Sequence, residues 1–128
     1  MPAVARKDGA DTISTGHGCD TTTTTLTGSN NVFANGIGVV RKNDTSQSHG
    51  FPTIITVFVP DPPPPPEDPP PGYIGGTFVD EIVCNPHTVV LTTYSDNVFA
   101  NDLNIGRLGD SYSGESLITG SPNVFANS

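Results

Sequence analysis

The hydrophobic positions along this chain occur in short groups and not at helical intervals. No window shows a sustained recurrence of apolar residues three and four positions apart, so the pattern predicts almost no helix. Short apolar segments are instead separated by Gly, Ser, Asn and Asp, which is typical of strands joined by tight turns. The pattern therefore predicts an all-β fold built from short hairpins.

One hairpin motif occurs three times. The pentapeptide Asn-Val-Phe-Ala-Asn occupies residues 31–35, 97–101 and 123–127, and each copy follows a short strand and a turn rich in Gly, Ser or Asp. Three copies in 128 residues indicate a repeated structural unit. We expect the Val and Phe side chains of the motif to fill the interior and its Asn pair to shape the turns.

An Arg and an Asp follow the first two copies at the same spacing. Arg41 precedes Asp44, and Arg107 precedes Asp110. We interpret both as ion pairs that brace a turn, each contributing about 1 kcal/mol or less if it is exposed.

The third copy has its continuation at the other end of the chain. We expect it to lie beside residues 4–6, so that the chain closes on itself as a pseudo-threefold object without free sheet edges. The repeat units then span about 1–35, 36–101 and 102–128.

Unit two is long because it contains an insertion over residues 51–83. Its apolar runs Ile54–Val59 and Thr77–Val83 are predicted to pair as a hairpin. The proline tract at residues 60–72 would form an extended polyproline segment at the tip, since proline cannot join a sheet ladder. A binding motif for a proline-recognising domain is the alternative, which the acidic flanks of the tract disfavour.

The charge and composition limit the functions that are possible. A net charge of −8 with five basic residues disfavours binding to nucleic acid or to anionic membranes. There is no apolar run long enough to span a bilayer and no apolar signal-peptide region at the N-terminus. We expect a protein that is made in a cytoplasm and stays soluble or joins an assembly.

The core is expected to be small, because only 34% of the residues are hydrophobic. A metal ion or a partner would help to stabilise such a chain. The two cysteines, Cys19 and Cys84, could pair with each other. In a cytoplasmic protein, however, metal ligation or free thiols are favoured over a disulfide.

The three histidines are the candidate metal ligands. Each lies in a loop between a turn and a hairpin strand, or at an end of the insertion, and these loops fall at the same end of a pseudo-threefold object. Cys84 and His87 have the C-x-x-H spacing of a turn that offers two ligands to one ion. Three imidazoles and one thiolate form a closed structural zinc site, and iron is the alternative metal. The predicted ligands are His17, His49, Cys84 and His87, with Cys19 as the alternative thiolate.

The same residues allow two other interpretations. The histidines could be ordinary loop residues and the cysteines small buried hydrophobic residues. A small zinc hydrolase would need a metal with an open position, and Asp20, Glu81 or Glu115 could then act as a base. The chain has no H-E-x-x-H or G-x-S-x-G motif, so we expect that it is not an enzyme.

Residues 28–36, Gly-Ser-Asn-Asn-Val-Phe-Ala-Asn-Gly, followed by Arg41 to Asp44, resemble the hairpins of the PAAR-repeat family, and residues 120–125 fit equally well. Residues 1–7 and 15–20 most resemble the tail-spike tip proteins of T4-like contractile-tailed phages. The Pro-Ala-Ala-Arg tetrapeptide is absent, and Asp102 replaces the usual Gly after the second pentapeptide. The resemblance covers nearly the whole chain except the insertion.

The resemblance implies a single PAAR-like domain over residues 1–128, shaped as a short β-cone. A metal ion would be held near the point by three His and one Cys, here His17, His49, His87 and Cys84. The broad base would bind the blunt end of a trimeric β-helical spike, with one monomer per trimer, and the cone would help to puncture the outer membrane of a target cell.

Two settings follow from the resemblance. In a phage, the protein would be made in the host cytoplasm and would lie in the virion at the tip of the central tail spike. In a type VI secretion system, it would cap a valine-glycine-repeat protein, recruit cargo through its insertion and be secreted.

Overall fold

The computed structural model describes residues 1–60 and 75–127. Over these residues the fold contains only strands and no helix, which confirms the predicted all-β class. The strands are β1 (Thr12–Ser14), β2 (Thr22–Thr24), β3 (Phe33–Ala34), β4 (Ile37–Gly38), β5 (His49–Pro60), β6 (Gly76–His87), β7 (Phe99–Ala100), β8 (Leu103–Asn104), β9 (Ser111–Tyr112) and β10 (Glu115–Leu117). The predicted polyproline conformation falls on residues outside the described part, apart from Pro60 at the end of β5.

The largest sheet joins the two ends of the chain. It has the antiparallel order β2-β1-β10-β9, and Ile13 of β1 lies opposite Leu117 of β10. The other strands form three separate hairpins, β3-β4, β5-β6 and β7-β8. None of these sheets closes into a barrel within the described residues.

The first two pentapeptides form tight hairpins. β3 pairs with β4, and β7 pairs with β8. Asn35 and Gly36 in the first turn have φ of 55° and 75°, and Asn101 and Asp102 in the second have φ of 55° and 64°. Two successive positive φ angles define the turn that matches strand twist, and Asn, Asp and Gly are the residues that tolerate them. Asp102 therefore performs the same backbone role as Gly36.

The third pentapeptide lies beside the N-terminus, as the sequence predicts. The Val4 amide donates to the Val124 carbonyl at 2.9 Å, and the Ala126 amide donates to the Pro2 carbonyl at 3.0 Å. An isolated β-bridge joins Ala3 to Phe125 between them.

One buried serine precedes each pentapeptide and connects it to another copy. Each hydroxyl accepts the backbone N–H of the residue three positions ahead, at 2.9–3.1 Å, which shapes the turn. Each also donates to an Asn of another pentapeptide. The three links are Ser29 to Asn101 Oδ1 at 2.6 Å, Ser95 to the Asn127 carbonyl at 2.6 Å, and Ser121 to Asn35 Oδ1 at 2.5 Å. They run from the first copy to the second, the second to the third, and the third to the first.

Three Arg–Asp pairs brace the chain beside these hairpins. The two predicted pairs are confirmed, with Arg41 Nε and Arg107 Nε each 3.0 Å from their Asp partners. A third pair, Arg6 with Asp11 at 3.0 Å, was missed because its residues are separated by five positions and not by three. Asp11 is fully buried, so removal of Arg6 would leave a buried carboxylate without its partner. Breaking such a buried pair costs roughly 3–5 kcal/mol.

The interior contains two buried clusters, and the pentapeptides contribute small side chains to one of them. Their alanines, Ala34, Ala100 and Ala126, pack in one buried cluster with Val4, Val39 and Ile105. The expectation that the motif's Phe fills the interior is wrong, since the three Phe side chains are 50–56% exposed. Phe and Ala are neighbours in each strand, so burying Ala turns Phe towards solvent.

The predicted insertion hairpin is confirmed. β5 and β6 pair antiparallel along their full length, from His49 opposite His87 to Pro60 opposite Gly76, and Ile54 faces Ile82 within this register. We call this pair of strands the ribbon. The ribbon is longer than predicted, because both histidines at its base belong to it.

Candidate metal centre

Four elements bring one side chain each to the base of the ribbon. His49 begins β5 and His87 ends β6, and their pairing places both side chains on the same face. Glu115 begins β10 in the sheet that joins the chain ends. His17 lies in the loop between β1 and β2, residues 15–21.

The ligand atoms of His17, His49, His87 and Glu115 all lie within 4.8 Å of one another. Glu115 Oε2 is 3.2 Å from His17 Nε2 and 3.1 Å from His87 Nε2, and Glu115 Oε1 is 3.0 Å from His49 Nε2. Neighbouring ligands of a tetrahedral zinc ion are about 3.3 Å apart, given bonds of about 2.0–2.1 Å. The four groups therefore have the spacing of a metal site.

Hydrogen bonds fix two of the rings in the orientation that a metal requires. His17 Nδ1 lies 2.8 Å from the Gly18 carbonyl, and His49 Nδ1 lies 2.9 Å from the Gln47 carbonyl. A carbonyl only accepts, so each Nδ1 carries the proton and donates it. In the neutral form of each ring, which metal binding requires, the Nε2 lone pair then points to Glu115. Such outer hydrogen bonds orient the histidines of metal sites.

With neutral histidines, the cluster contains more acceptors than donors. Rings protonated only at Nδ1 direct the lone pairs of His17 and His49 at a carboxylate, and His49 Nε2 is also 2.7 Å from His87 Nε2. Glu115 Oε1 is buried and makes no hydrogen bond to any described residue. A buried carboxylate oxygen without a donor is costly, and a cation between the four groups would satisfy all of them. The residues therefore fit a bound metal ion.

An aromatic ring covers the more open side of the cluster. The Phe51 ring centroid is 4.9 Å from that of His17 and 4.8 Å from that of His87. His49 and Glu115 are buried, whereas the His87 side chain is 28% exposed. Phe51 limits the access of water to the two more exposed histidines.

The two cysteines differ from their predicted role. Cys19 and Cys84 form a disulfide with each other, with a Cα–Cα distance of 5.8 Å, so neither contributes a thiolate to the cluster. The C-x-x-H spacing offers two ligands to one ion only in a turn. Residues 84–87 are part of β6, and positions three apart in a strand point to opposite faces. This geometry separates Cys84 from His87.

The structure thus unites the three predicted histidines and replaces the predicted thiolate by Glu115. The sequence indicated Glu115 only as a possible base. A stronger signal was present, because the loop of unit three contains no His or Cys but does contain this carboxylate, at a position corresponding to the ligand loops of the other units. Asp20 is engaged elsewhere by the Gly50 amide at 2.6 Å, and Glu81 lies exposed on the ribbon.

No protein-family model matches this chain, and a search of curated proteins found no match. Within the described ranges, no helix is long and apolar enough to cross a membrane. The fold and the site define a small all-β protein with a candidate metal centre of three histidines and one glutamate.

Proposed function

We propose that this protein is a structural spike tip of the PAAR type. It would cap a trimeric β-helical spike of a contractile phage tail, one copy per trimer, and sharpen that spike for passage through the outer membrane of a target cell. The proposal includes a short cone made of three pseudo-threefold repeats. It assigns the protein to the virion and gives it no enzymatic activity.

The observation that carries the proposal is the cycle of serine hydrogen bonds. Each of the three serines joins its own pentapeptide to another copy, and the third link returns to the first copy. A single chain with three similar pentapeptides in a closed cycle can present similar contacts to each subunit of a trimer. This property is needed by a monomer that ends a threefold assembly.

Three exposed aromatic residues provide a suitable contact surface. Phe33, Phe99 and Phe125 occupy the same position in the three pentapeptides and are 56%, 55% and 50% exposed. Exposed aromatic side chains are enriched at protein–protein interfaces and often carry much of the binding energy. We assign the contact with the spike to these three residues.

The metal centre would hold the tip together. His17 belongs to unit one, His49 and His87 to unit two, and Glu115 to unit three, so one ion would connect all three units. Imidazole and carboxylate ligands are compatible with zinc and with ferrous iron. Four protein ligands leave no open position on a tetrahedral ion, which favours a structural role over a hydrolase.

Binding to a purified trimeric β-helical tail spike tests the proposal. Native mass spectrometry should show one copy of this chain per trimer. The triple variant Phe33→Ser/Phe99→Ser/Phe125→Ser should not form the complex. The matched control is Phe58→Ser/Phe78→Ser on the ribbon, which should still form it. A complex with three copies per trimer, or antibody label away from the tail tip in electron micrographs of virions, would refute the proposal.

The exposed ribbon favours a second candidate function. Ile54, Phe78 and Ile82 on the ribbon are about 70% exposed, at 69%, 71% and 70%. Exposed apolar patches of this kind commonly mark interaction sites. In a type VI secretion spike, the ribbon would recruit cargo while the pentapeptide phenylalanines bind the valine-glycine-repeat protein. Binding to that protein, and not to a phage spike, would favour this candidate.

A further inference from the structure

The disulfide and the metal-centre histidines lie on opposite faces of the ribbon. A Cβ atom added to Gly50 would lie 3.1 Å from Cys19 Cβ and 3.4 Å from Cys84 Cβ, so both cysteines pack on the face of Gly50. His49 is the neighbouring residue in β5 and therefore points to the other face. The Cys84 sulfur therefore points away from the cluster.

His17 reaches the cluster by a different route from the other three ligands. It is the only one of the four outside a strand, and it lies two residues before Cys19. The chain must therefore pass from one face of the ribbon to the other between His17 and Cys19. Gly16 and Cys19 adopt positive φ of 70° and 68°, which is the backbone geometry of a sharp change in direction.

Few hydrogen bonds join this loop to the ribbon. The Thr15 hydroxyl donates to the Asp20 carbonyl at 2.6 Å, which closes the loop on itself. The His17 ring contacts Phe51 and His87 on the ribbon. The other attachments of the loop to the ribbon are the Asp20 carboxylate, which accepts the Gly50 N–H at 2.6 Å, and the disulfide to Cys84. The disulfide links the His17 loop directly to β6, the strand that carries His87.

We propose that the Cys19–Cys84 disulfide is a positioning device that holds His17 in the metal centre. The metal affinity of the protein then depends on the redox state of two residues that are not ligands. This inference rests on the metal centre of the proposed function. It adds a redox dependence of the metal affinity that the ligands alone do not provide.

The redox step is a thiol–disulfide exchange. The Cys19 and Cys84 thiols transfer two electrons and two protons to a low-molecular-weight disulfide, which is reduced to two thiols while the Cys19–Cys84 bond forms. In a reducing compartment the reverse reaction frees the loop. Metal binding must then order the His17 loop, which costs conformational entropy, so the site binds the metal more weakly.

Zinc affinity in three states of the full chain tests this proposal. The states are the oxidised wild type, the wild type reduced with a phosphine reductant, and the variant Cys19→Ser/Cys84→Ser. Competition with a chromophoric chelator should give the tightest binding for the oxidised protein. Both other states should bind zinc about 10–100-fold more weakly, the range seen when outer contacts of metal ligands are removed.

A mutant cycle with His17 separates positioning from a general effect on stability. His17→Ala should weaken zinc binding in the oxidised wild type but add little in the Cys19→Ser/Cys84→Ser background, since the residue is already displaced there. Glu115→Gln should weaken binding in both backgrounds. If the serine variant does not fold, the reduced wild type and reduced His17→Ala complete the same cycle.

The outcomes distinguish this proposal from the metal centre itself. Equal zinc affinity in all three states would overturn the positioning role and leave the metal centre intact. Tighter binding by the reduced wild type would assign a thiolate ligand and overturn it as well. An oxidised wild type that binds no zinc would remove both the metal centre and the inference that rests on it.

Discussion

Glu115 determines the charge of the metal centre. It is buried and is the one anionic group in the cluster. Each of the three Nε2 atoms lies within 3.2 Å of one of its two oxygens. A divalent cation with three neutral imidazoles and this carboxylate would leave a net charge of +1. Because a charge in a buried site is costly, removal of the carboxylate should weaken binding strongly.

Glu115→Gln should therefore reduce zinc affinity by about 10–100-fold, since an amide oxygen is a neutral and weaker ligand. Chelator competition measures the affinity. Glu81→Gln on the exposed ribbon is the control and should have no effect. The cobalt-substituted wild type should also lack a thiolate-to-metal charge-transfer band, and the presence of that band would restore a cysteine to the ligand set.

Tyr112 is a second residue with an unusual environment. Its side chain is fully buried, and its hydroxyl has no hydrogen-bond partner among the described residues. Burial raises the pKa of the Tyr112 phenol well above its ordinary value, and the nearby carboxylates of Asp44 and Asp11 act in the same direction. The folded protein therefore holds the phenol proton more strongly than the unfolded chain does.

This difference predicts a loss of stability in alkali. The stabilisation is fully present below the ordinary tyrosine pKa of about 10 and is lost as the pH rises above it, because the unfolded chain then releases the proton first. Tyr112→Phe should reduce this alkaline loss. Near neutral pH, it should leave the free energy of unfolding unchanged or raise it by about 1 kcal/mol. Urea unfolding at pH 9 and pH 11 measures both effects. An equally steep alkaline loss in both proteins would contradict the assignment.

At the level of strands and turns, the sequence predicts where the strands lie along the chain better than it predicts which face of each strand is buried. The paired apolar runs on either side of the proline tract located the ribbon, and the pentapeptides located β3 and β7. Alternation along a strand defines two faces but does not say which one is buried. The pentapeptides bury Ala34, Ala100 and Ala126 because only small side chains fit where the three copies meet.

The same limit explains the partial success at the metal centre. The histidines were found because they lie in corresponding parts of the repeat. The fourth ligand was not, because the C-x-x-H spacing has a different meaning in a turn and in a strand. Cys84 and His87 point to opposite faces because β6 extends through both residues, which their spacing alone does not reveal.

The serine links provide a prediction for these elements. Ser95→Ala should remove the hydroxyl that accepts the Val98 amide at 3.1 Å and donates to the Asn127 carbonyl at 2.6 Å. The loss should be about 1–3 kcal/mol in the free energy of unfolding, because buried partners are left without a hydrogen bond. Ser48→Ala, at an exposed position, should change it little. Chemical denaturation compares the two, and equal values would contradict the role of the serine cycle.

For the whole molecule, the ends of the chain are joined in three separate ways. β1 pairs with β10, residues 2–4 pair with the third pentapeptide, and Glu115 meets His17 at 3.2 Å. The first two connections consist of short backbone pairings between segments far apart in sequence. Such a small domain has little core to stabilise it, so a metal ion that links the three units should have a large effect on its stability.

Metal binding should therefore raise stability as a ligand of the folded state. At a free zinc concentration about 1,000 times the Kd, the gain is about 4.1 kcal/mol if the unfolded chain does not bind. His87→Ala should lower both the zinc content and this gain, because it removes one ligand from the ribbon. Elemental analysis and calorimetric scans with and without zinc measure the two quantities. The metal-free wild type is the control, since it should match the metal-free variant closely. A His87→Ala protein that keeps its zinc, or a wild type whose Tm does not depend on zinc, would show that the cluster does not hold the three units together through a metal.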